Sequence, residues 1–261
     1  MERQKEPAAA QPTVGRGVLE GAFLVLEELA RLGEAGPAQV GAGAGLHKAT
    51  AHRLLDQLVG LGAVQRRAGR YRMGPSMFRL GQAWQPAPLL RTAARNPLRQ
   101  LAAATRTATV GIGIPEQGRT RSIGLLRGEL GDDIPVRAGL LLPHGCNGDR
   151  LWAIDDPDAA IPDRYSRREW KRLITDAHEQ GVALGWDDDI FPSVFGSVFG
   201  AAAPVRASSG KIIAAVSAAV LDRRRLTALA PAVRRAADMI SANLNRLPAA
   251  ALAGFSSPED R

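Results

Sequence analysis

A short segment of the chain combines small, polar and basic side chains in a pattern suited to nucleic-acid contact. Residues 45–55 read GLHKATAHRLL, and a helix over this segment would place its leucines on one face. Lysine and arginine bind guanine edges or phosphate oxygens, and threonine offers both a hydroxyl and a methyl group. We therefore predict a helix that enters the major groove of DNA. The face away from the leucines carries His47, Lys48, Ala49, Thr50, His52 and Arg53.

A basic hairpin is predicted directly after this helix. The runs Val64–Arg67 and Arg70–Met73 flank Ala68-Gly69, and a glycine between two such runs is typical of a tight turn. Taken alone, the basic helix face would fit a solvated surface better than a DNA contact. A positive hairpin at this spacing favours DNA, because it can lie along the duplex backbone or minor groove. Its basic residues are Arg66, Arg67, Arg70 and Arg72.

Three helices are needed to position these groups. Periodic apolar residues predict a helix over Val18–Leu32, and Pro37–Ala44 reads as a short second helix. Its interior glycines, Gly41 and Gly43, are expected to weaken it by about 1 kcal/mol each. Lys48–Leu61 reads as the third helix, with Gly45 in the preceding turn. Its expected buried stripe is Leu54, Leu55, Leu58 and Leu61. Helix, short helix, turn, helix and hairpin are the parts of a winged helix-turn-helix.

Charge and composition agree with a DNA partner. The 261 residues carry a formal net charge of +8, and six of those surplus charges fall between His47 and Arg79. The single cysteine, Cys146, cannot form an internal disulfide, which fits a reducing compartment. The first residues lack the apolar core of a secretory signal, and no run is long and apolar enough to span a membrane. We expect a cytoplasmic protein.

The remainder of the chain alternates strands and helices, which predicts an α+β fold with a second, sensor-like domain. Expected strands cover Thr107–Ile114, Arg121–Arg127, Ile134–Arg137, Val198–Arg206 and Lys211–Leu221. Expected helices cover Pro75–Ala83, Leu89–Thr105 with a break near Asn96-Pro97, Ser166–Gln180 and Leu226–Leu247. The predicted organisation is a disordered arm (1–13), a winged helix-turn-helix domain (14–84), a linker helix (85–106), a sensor domain (107–247) and a flexible tail (248–261).

Residues 45–58 (GLHKATAHRLLDQL), Leu61–Val64 and the GRYRMG of residues 69–74 resemble the DNA-binding domain of the isocitrate-lyase-regulator (IclR) family. Ala202–Val205, Gly210 and Ile212–Ser217 resemble that family's GAF-like effector domain. The resemblance covers roughly residues 14 to 247. It implies a transcriptional regulator, a repressor or an activator, that binds a palindromic operator in double-stranded DNA. It also implies a homodimer or a dimer of dimers, tuned by a small-molecule effector that is often acidic or aromatic.

The same resemblance implies a set of effector-binding residues. Two departures from the family pattern favour a less polar ligand than a small oxo-acid. Gly200 stands where the family often has cysteine, and the strand reads Ser217-Ala218-Ala219 where the family often has two serines. The expected effector-binding residues are His144, Cys146, Asp188, Asp189, Phe199, Gly200, Ser217 and Ala219.

Two alternatives remain open at the level of sequence. One is a small-molecule enzyme with a winged-helix dimerisation domain, and the other is a regulator whose sensor domain no longer binds a ligand. The glycines of Gly111-Ile112-Gly113 lack the third glycine and following helix of a dinucleotide-binding loop, so no enzyme and no cofactor are expected. His144 and Cys146 are too few for a closed zinc site, so no metal is expected.

Overall fold

The computed structural model describes residues 17–84, 86–106, 108–128, 136–156, 158–186 and 198–247. The chain divides into two compact units, one ending at Ala83 and one beginning at Trp84. The predicted arm, the predicted tail, Asp188 and Asp189 lie outside the described residues. Within the described ranges, no helix combines the length and the apolar content needed to cross a bilayer.

The first unit is built from four helices and a three-stranded antiparallel sheet. The helices are α1 (Val18–Leu32), α2 (Pro37–Gly43), α3 (Lys48–Gly60) and α4 (Pro75–Ala83). The strands are β1 (Glu34–Ala35), β2 (Val64–Arg67) and β3 (Arg70–Met73), in the order β1-β3-β2. The predicted winged helix-turn-helix is confirmed, and the sequence pattern missed only the two-residue strand β1. The prediction that Leu61 completes the buried stripe of α3 is wrong, because Leu61 follows the end of the helix and is 73% exposed.

The two glycines of α2 serve close packing between helices. A Cβ atom at Gly41 would lie 3.0 Å from the Cβ of Ala51 in α3, and one at Gly43 would collide with the Glu28 carboxylate of α1. That carboxylate is buried and accepts a hydrogen bond from Arg31 Nε at 2.8 Å. The loss of helix propensity expected from these glycines is therefore offset by the contact that they allow α2 to make with α1 and α3.

The second unit is a five-stranded antiparallel sheet between helices. The strands are β4 (Thr109–Glu116), β5 (Arg119–Leu126), β6 (Ala183–Trp186), β7 (Phe199–Arg206) and β8 (Ile212–Val220), in the order β5-β4-β8-β7-β6. The helices are α5 (Pro86–Thr105), α6 (Asn147–Asp155), α7 (Arg167–Gln180) and α8 (Leu226–Asn245), and a 3₁₀ turn (Arg223–Arg225) precedes α8. The predicted α+β fold class is confirmed.

Several local predictions differ from the observed elements. Of the predicted strand Ile134–Arg137 only Val136 and Arg137 are described, and neither belongs to a strand. Helix α6 and strand β6 were not predicted from the sequence. The capping box at Ser166 is confirmed, since the Ser166 hydroxyl accepts a hydrogen bond from the Glu169 backbone and the Glu169 carboxylate accepts one from the Ser166 backbone.

Strand β4 presents valine and isoleucine to one face of the sheet (the large face) and glycine to the other (the small face), β8 keeps its valines on the same face as these, and β7 has alanine on both faces. Helices α5 and α8 pack against the large face, where Val110, Ile112 and Ile114 of β4 join Val216 and Val220 of β8 in one buried core. Helix α6 packs against the other face through Leu151 and Trp152, beside Ala202 and Ala215. The alternation has a period of two, as expected for a strand whose successive side chains point to opposite faces.

Helix α5 continues through Pro97, although the sequence predicts a break there. Proline has no N–H group, so it cannot donate to the carbonyl of Ala93 four residues earlier. Asn243 of α8 supplies the missing donor, with its Nδ2 atom 2.9 Å from the Ala93 oxygen. A side chain from the neighbouring helix thus replaces a backbone hydrogen bond and ties α8 to α5.

Replacement of Asn243 by alanine is expected to lower the free energy of unfolding by about 1–3 kcal/mol, because the Ala93 carbonyl would be left unpaired. Urea unfolding followed by circular dichroism measures the change. Asn245→Ala provides a matched control, since Asn245 lies on the same helix with an exposed side chain. Equal stability of the two variants would contradict this role for Asn243.

Candidate nucleic-acid interface and ligand cavity

Helix α3 presents its predicted polar face to solvent. Leu54, Leu55 and Leu58 are buried in the first unit, whereas His47, Lys48, Ala49 and Arg53 are exposed and Thr50 and His52 are half-buried. His47 precedes the helix and makes no side-chain capping bond, and the first turn contains no acidic residue. The N-terminal end of α3 therefore offers unneutralised backbone N–H groups beside exposed basic side chains, which favours anions.

A single carboxylate connects α3 to the wing formed by β2 and β3. Asp56 Oδ2 lies 3.1 Å from His52 Nδ1, and the Tyr71 hydroxyl donates to Asp56 Oδ1 at 3.4 Å. Burial raises the pKa of Tyr71 above its ordinary value, so the phenol keeps the proton that it donates. Asp56 thereby fixes the second turn of α3 relative to the hairpin and orients the His52 ring toward itself.

The four wing arginines are all exposed but differ in their contacts. Arg70 binds Glu34 of β1 through Nη2, which donates to the backbone carbonyl at 2.8 Å, and through Nε, 3.2 Å from the carboxylate. The Arg66 guanidinium lies 5.6 Å from the centroid of the Tyr71 ring, and Arg72 Nε donates to Gln65 Oε1 at 3.2 Å. Within the described part of the chain, Arg67 is the wing arginine without a side-chain partner.

A cavity of about 100 Å³ lies in the second unit against the small face of the sheet. Its floor is made of residues with little or no side chain, because glycine, alanine and serine alternate with the large core residues. These floor residues are Gly111, Gly113, Gly200, Ala202, Ala215, Ser217 and Ala219. Leu125, Val136, Leu142 and Val198 add apolar walls. The cavity therefore exists because the strands carry no bulk on this face.

The N-terminal end of α6 forms the polar wall of the cavity, through Cys146, Asn147 and Gly148. The helix N-cap makes no side-chain capping bond. Among the described residues, the backbone N–H groups of Asn147 and Gly148 have no acceptor. The Oδ1 atom of Asn147 is buried and has no hydrogen-bond partner there either. This wall therefore offers free backbone donors beside a mostly apolar space.

A buried hydrogen-bond network holds that helix end in place. Thr120 Oγ1 donates to Asp149 Oδ1 at 2.6 Å, and the backbone N–H of Gly145 donates to Asp149 Oδ2 at 2.7 Å. Trp152 Nε1 donates to Thr120 Oγ1 at 2.9 Å. Asp149 is only 1% exposed, and its position is fixed by donors from strand β5 and from the loop before α6.

Cys146 lies inside this network as an inert thiol. Its Sγ atom is 3.2 Å from Asp149 Oδ1, and both burial and the neighbouring carboxylate raise the pKa of the thiol far above its ordinary value. The thiolate is the reactive form of cysteine, so this residue is a poor nucleophile and a poor metal ligand. No group of three or more metal-binding side chains occurs in the described ranges.

The structure brings four of the predicted effector-binding residues together. Cys146, Gly200, Ser217 and Ala219 line the cavity. His144 is half-buried outside its lining, and Phe199 packs against the core on the large face of the sheet. The lining residues that the sequence did not reveal include the polar or small Thr109, Thr120, Ser122, Asn147 and Gly148, and the glycines of β4.

Comparison with protein families identifies the first unit. Residues 18–68 match the IclR helix-turn-helix domain. The N-terminal unit is an IclR helix-turn-helix domain. The match ends at Ala68, in the turn of the wing, and so includes all of α3. No curated protein sequence matches the chain.

Solved structures extend the likeness to both units. An IclR homologue from Microbacterium hydrocarbonoxydans, complexed with 4-hydroxybenzoate, is 22% identical with a TM-score of 0.72, over 88% of this chain and 100% of that one. A transcriptional regulator from Alicyclobacillus acidocaldarius is 22% identical with a TM-score of 0.66, over 87% and 98% of the two chains. The Thermotoga maritima IclR is 17% identical with a TM-score of 0.59, over 87% and 98%. The chain has the fold of IclR transcriptional regulators.

Alkylation of Cys146 by iodoacetamide at neutral pH is expected to be at least about tenfold slower in the native protein than in the urea-unfolded chain, since burial suppresses both access and the thiolate. Mass spectrometry measures the rate directly, because the chain has a single cysteine. The unfolded chain serves as its own control. Comparable rates in the two states would contradict the buried position of the thiol.

Proposed function

We propose that the protein is a ligand-responsive DNA-binding transcription regulator, in which α3 of the IclR helix-turn-helix domain enters the major groove of an operator. The observation that carries the proposal is the exposed face of α3, with Lys48 and Arg53 free of acidic partners among the described residues. The wing lies beside the same helix and adds positive charge without a neighbouring acid at Arg67.

The roles of the basic residues follow from their surroundings. Lys48, Thr50 and Arg53 are available to base edges and phosphates, and His47 and Ala49 lie at the helix end, where a phosphate can approach the backbone. His52 contributes through its contact with Asp56, which orients α3 and the wing together. Arg66, Arg70 and Arg72 shape the wing and add to its potential.

We place the self-association surface of a dimer on α1 and α4. These helices carry large apolar side chains that the first unit does not cover, namely Leu19 at 78% and Phe23 at 63% exposure on α1 and Phe78 at 71% on α4. Exposed apolar patches of this kind mark protein interfaces. Two copies would read two half-sites of a palindromic operator, as helix-turn-helix dimers do.

The effector we propose is a small carboxylic acid with an apolar remainder. Free N–H groups at a helix N-terminus bind a carboxylate, and the end of α6 supplies them at the cavity wall. An engineered cavity of about 150 Å³ holds benzene. The cavity of about 100 Å³ is smaller, so it limits the apolar remainder to a short chain or at most a single ring. The complex of the Microbacterium hydrocarbonoxydans homologue with 4-hydroxybenzoate supports this ligand class.

Replacement of Arg53 by alanine is expected to weaken binding to a duplex selected from a random-sequence library by about tenfold or more, because a base or phosphate contact is lost. Fluorescence anisotropy measures the affinity. Arg168→Ala is the matched control, since Arg168 is exposed on α7 in the second unit, outside α3, the wing and the proposed dimer surface. If Arg53→Ala bound as tightly as Arg168→Ala, the assignment of α3 to the DNA groove would be overturned.

Benzoate or 4-hydroxybenzoate at saturating concentration is expected to raise the midpoint of thermal unfolding by about 5 °C, whereas benzyl alcohol is not. Ala219→Leu should abolish the shift, because its larger side chain occupies the cavity. Ala242→Leu, at an exposed position of α8, should retain it. A shift that persists in Ala219→Leu would contradict the site, and the absence of any shift with either acid would favour a sensor that has lost its ligand.

A further inference from the structure

The basic character of the chain extends beyond the winged domain. Nine arginines and no aspartate or glutamate lie between Asp56 and Glu116. Five of these arginines precede Trp84, and four follow it in the second unit. The surplus charge therefore continues from the wing through α4 and into α5.

Three of the later arginines form a row on one face of α5. Arg91, Arg95 and Arg99 are spaced four residues apart and are all exposed, while the opposite face of the helix is buried in the core of the second unit. Four residues correspond to about 6 Å along an α-helix, so the three guanidinium groups span about 12 Å. No acidic residue occurs anywhere in α5.

The guanidinium groups of this row are not committed to other contacts. In the part of the chain that the structure describes, none of the three has an acidic or hydrogen-bonded partner, whereas Arg31, Arg70, Arg121 and Arg224 each pair with a carboxylate. The row borders a cleft of about 460 Å³ between α5 and the edge strand β5, where Gly124 and Leu125 add no charge. An extended, uncompensated line of arginines in an open cleft favours a polyanion over a compact anion.

We propose that Arg91, Arg95 and Arg99 form a second phosphate-contacting surface, which binds the DNA backbone independently of base sequence. The proposal rests on the proposed DNA-binding function. The spacing is compatible with a duplex strand, because phosphates on one strand advance by about 3.4 Å each along the axis and about three or four of them fit the length of the row. Arginine suits this contact, since its planar fork donates to two phosphate oxygens at once.

The salt dependence of binding tests the proposal. The triple variant R91Q/R95Q/R99Q and the wild type are titrated with a short duplex of arbitrary sequence, by fluorescence anisotropy, between about 50 and 200 mM salt. Each lost phosphate contact lowers the slope of log K against log salt by about 0.9, so we expect the slope to fall by about two to three. The affinity at the lowest salt should fall by about tenfold or more.

A variant of equal charge change on another helix controls for net charge. R167Q/R168Q/R172Q also removes three exposed arginines, from α7, where acidic residues are interspersed. We expect its slope to stay within experimental error of the wild type, and circular dichroism should give the same melting profile for all three proteins.

The outcomes separate this proposal from the function on which it rests. Equal slopes for the α5 variant, the α7 variant and the wild type would overturn the phosphate contact and leave DNA binding by α3 intact. The row would then fit an acidic protein surface better than DNA. Failure of the wild type to bind any duplex would overturn the proposed function itself. The proposal predicts that the salt slope falls in the α5 variant and not in the α7 variant. If R91Q/R95Q/R99Q lowers the slope by the same amount when Arg53 is replaced by alanine, the α5 row and α3 are two independent contact surfaces.

Discussion

The two-residue alternation of strand β4, together with the small residues that β7 and β8 place on the face away from α5 and α8, is the constraint on which the second unit depends. Valine and isoleucine on one face bury apolar area against α5 and α8, which is the main stabilising contribution in a domain of this kind. Glycine, alanine and serine on the other face leave an open space that α6 only partly covers. The same sheet therefore supplies stability on one side and a ligand cavity on the other, without a conflict between packing and binding.

The polar end of α6 is held above this space by contacts that are distant in sequence. Asp149 accepts from Thr120 of β5, and the Thr120 hydroxyl accepts from Trp152 in the next turn of the helix. A buried carboxylate is tolerated because its oxygens are hydrogen-bonded. In the first unit Asp56 has a similar role, since one carboxylate contacts both His52 of α3 and Tyr71 of the wing. Each unit thus uses one aspartate to set the geometry of its surface or cavity.

The sequence predicted the winged domain well because each of its parts has a local pattern, such as a leucine stripe or a glycine between two basic runs. Helix α6 was missed because its buried residues include Asn147, Asp149 and Arg150, which do not form an apolar stripe; Asp149 bonds to Thr120 and Arg150 to the Leu184 carbonyl, both distant in sequence. The continuity of α5 through Pro97 depends in the same way on Asn243, 150 residues away. Ser217 and Gly200 were predicted at the cavity from family resemblance, whereas Thr120 and Asn147 could be recognised only from tertiary contacts.

The floor of small residues also bears on how a chain with the proposed function can diversify. A substitution of alanine by valine at position 202, 215 or 219 adds two carbon atoms to the cavity and leaves the backbone of the sheet unchanged. One methylene group changes the affinity of an apolar site by about 1–3 kcal/mol, so single mutations would be enough to exchange one effector for a shorter or longer analogue. Gene duplication followed by a few such steps would give paralogues that respond to different acids while sharing one DNA-binding architecture.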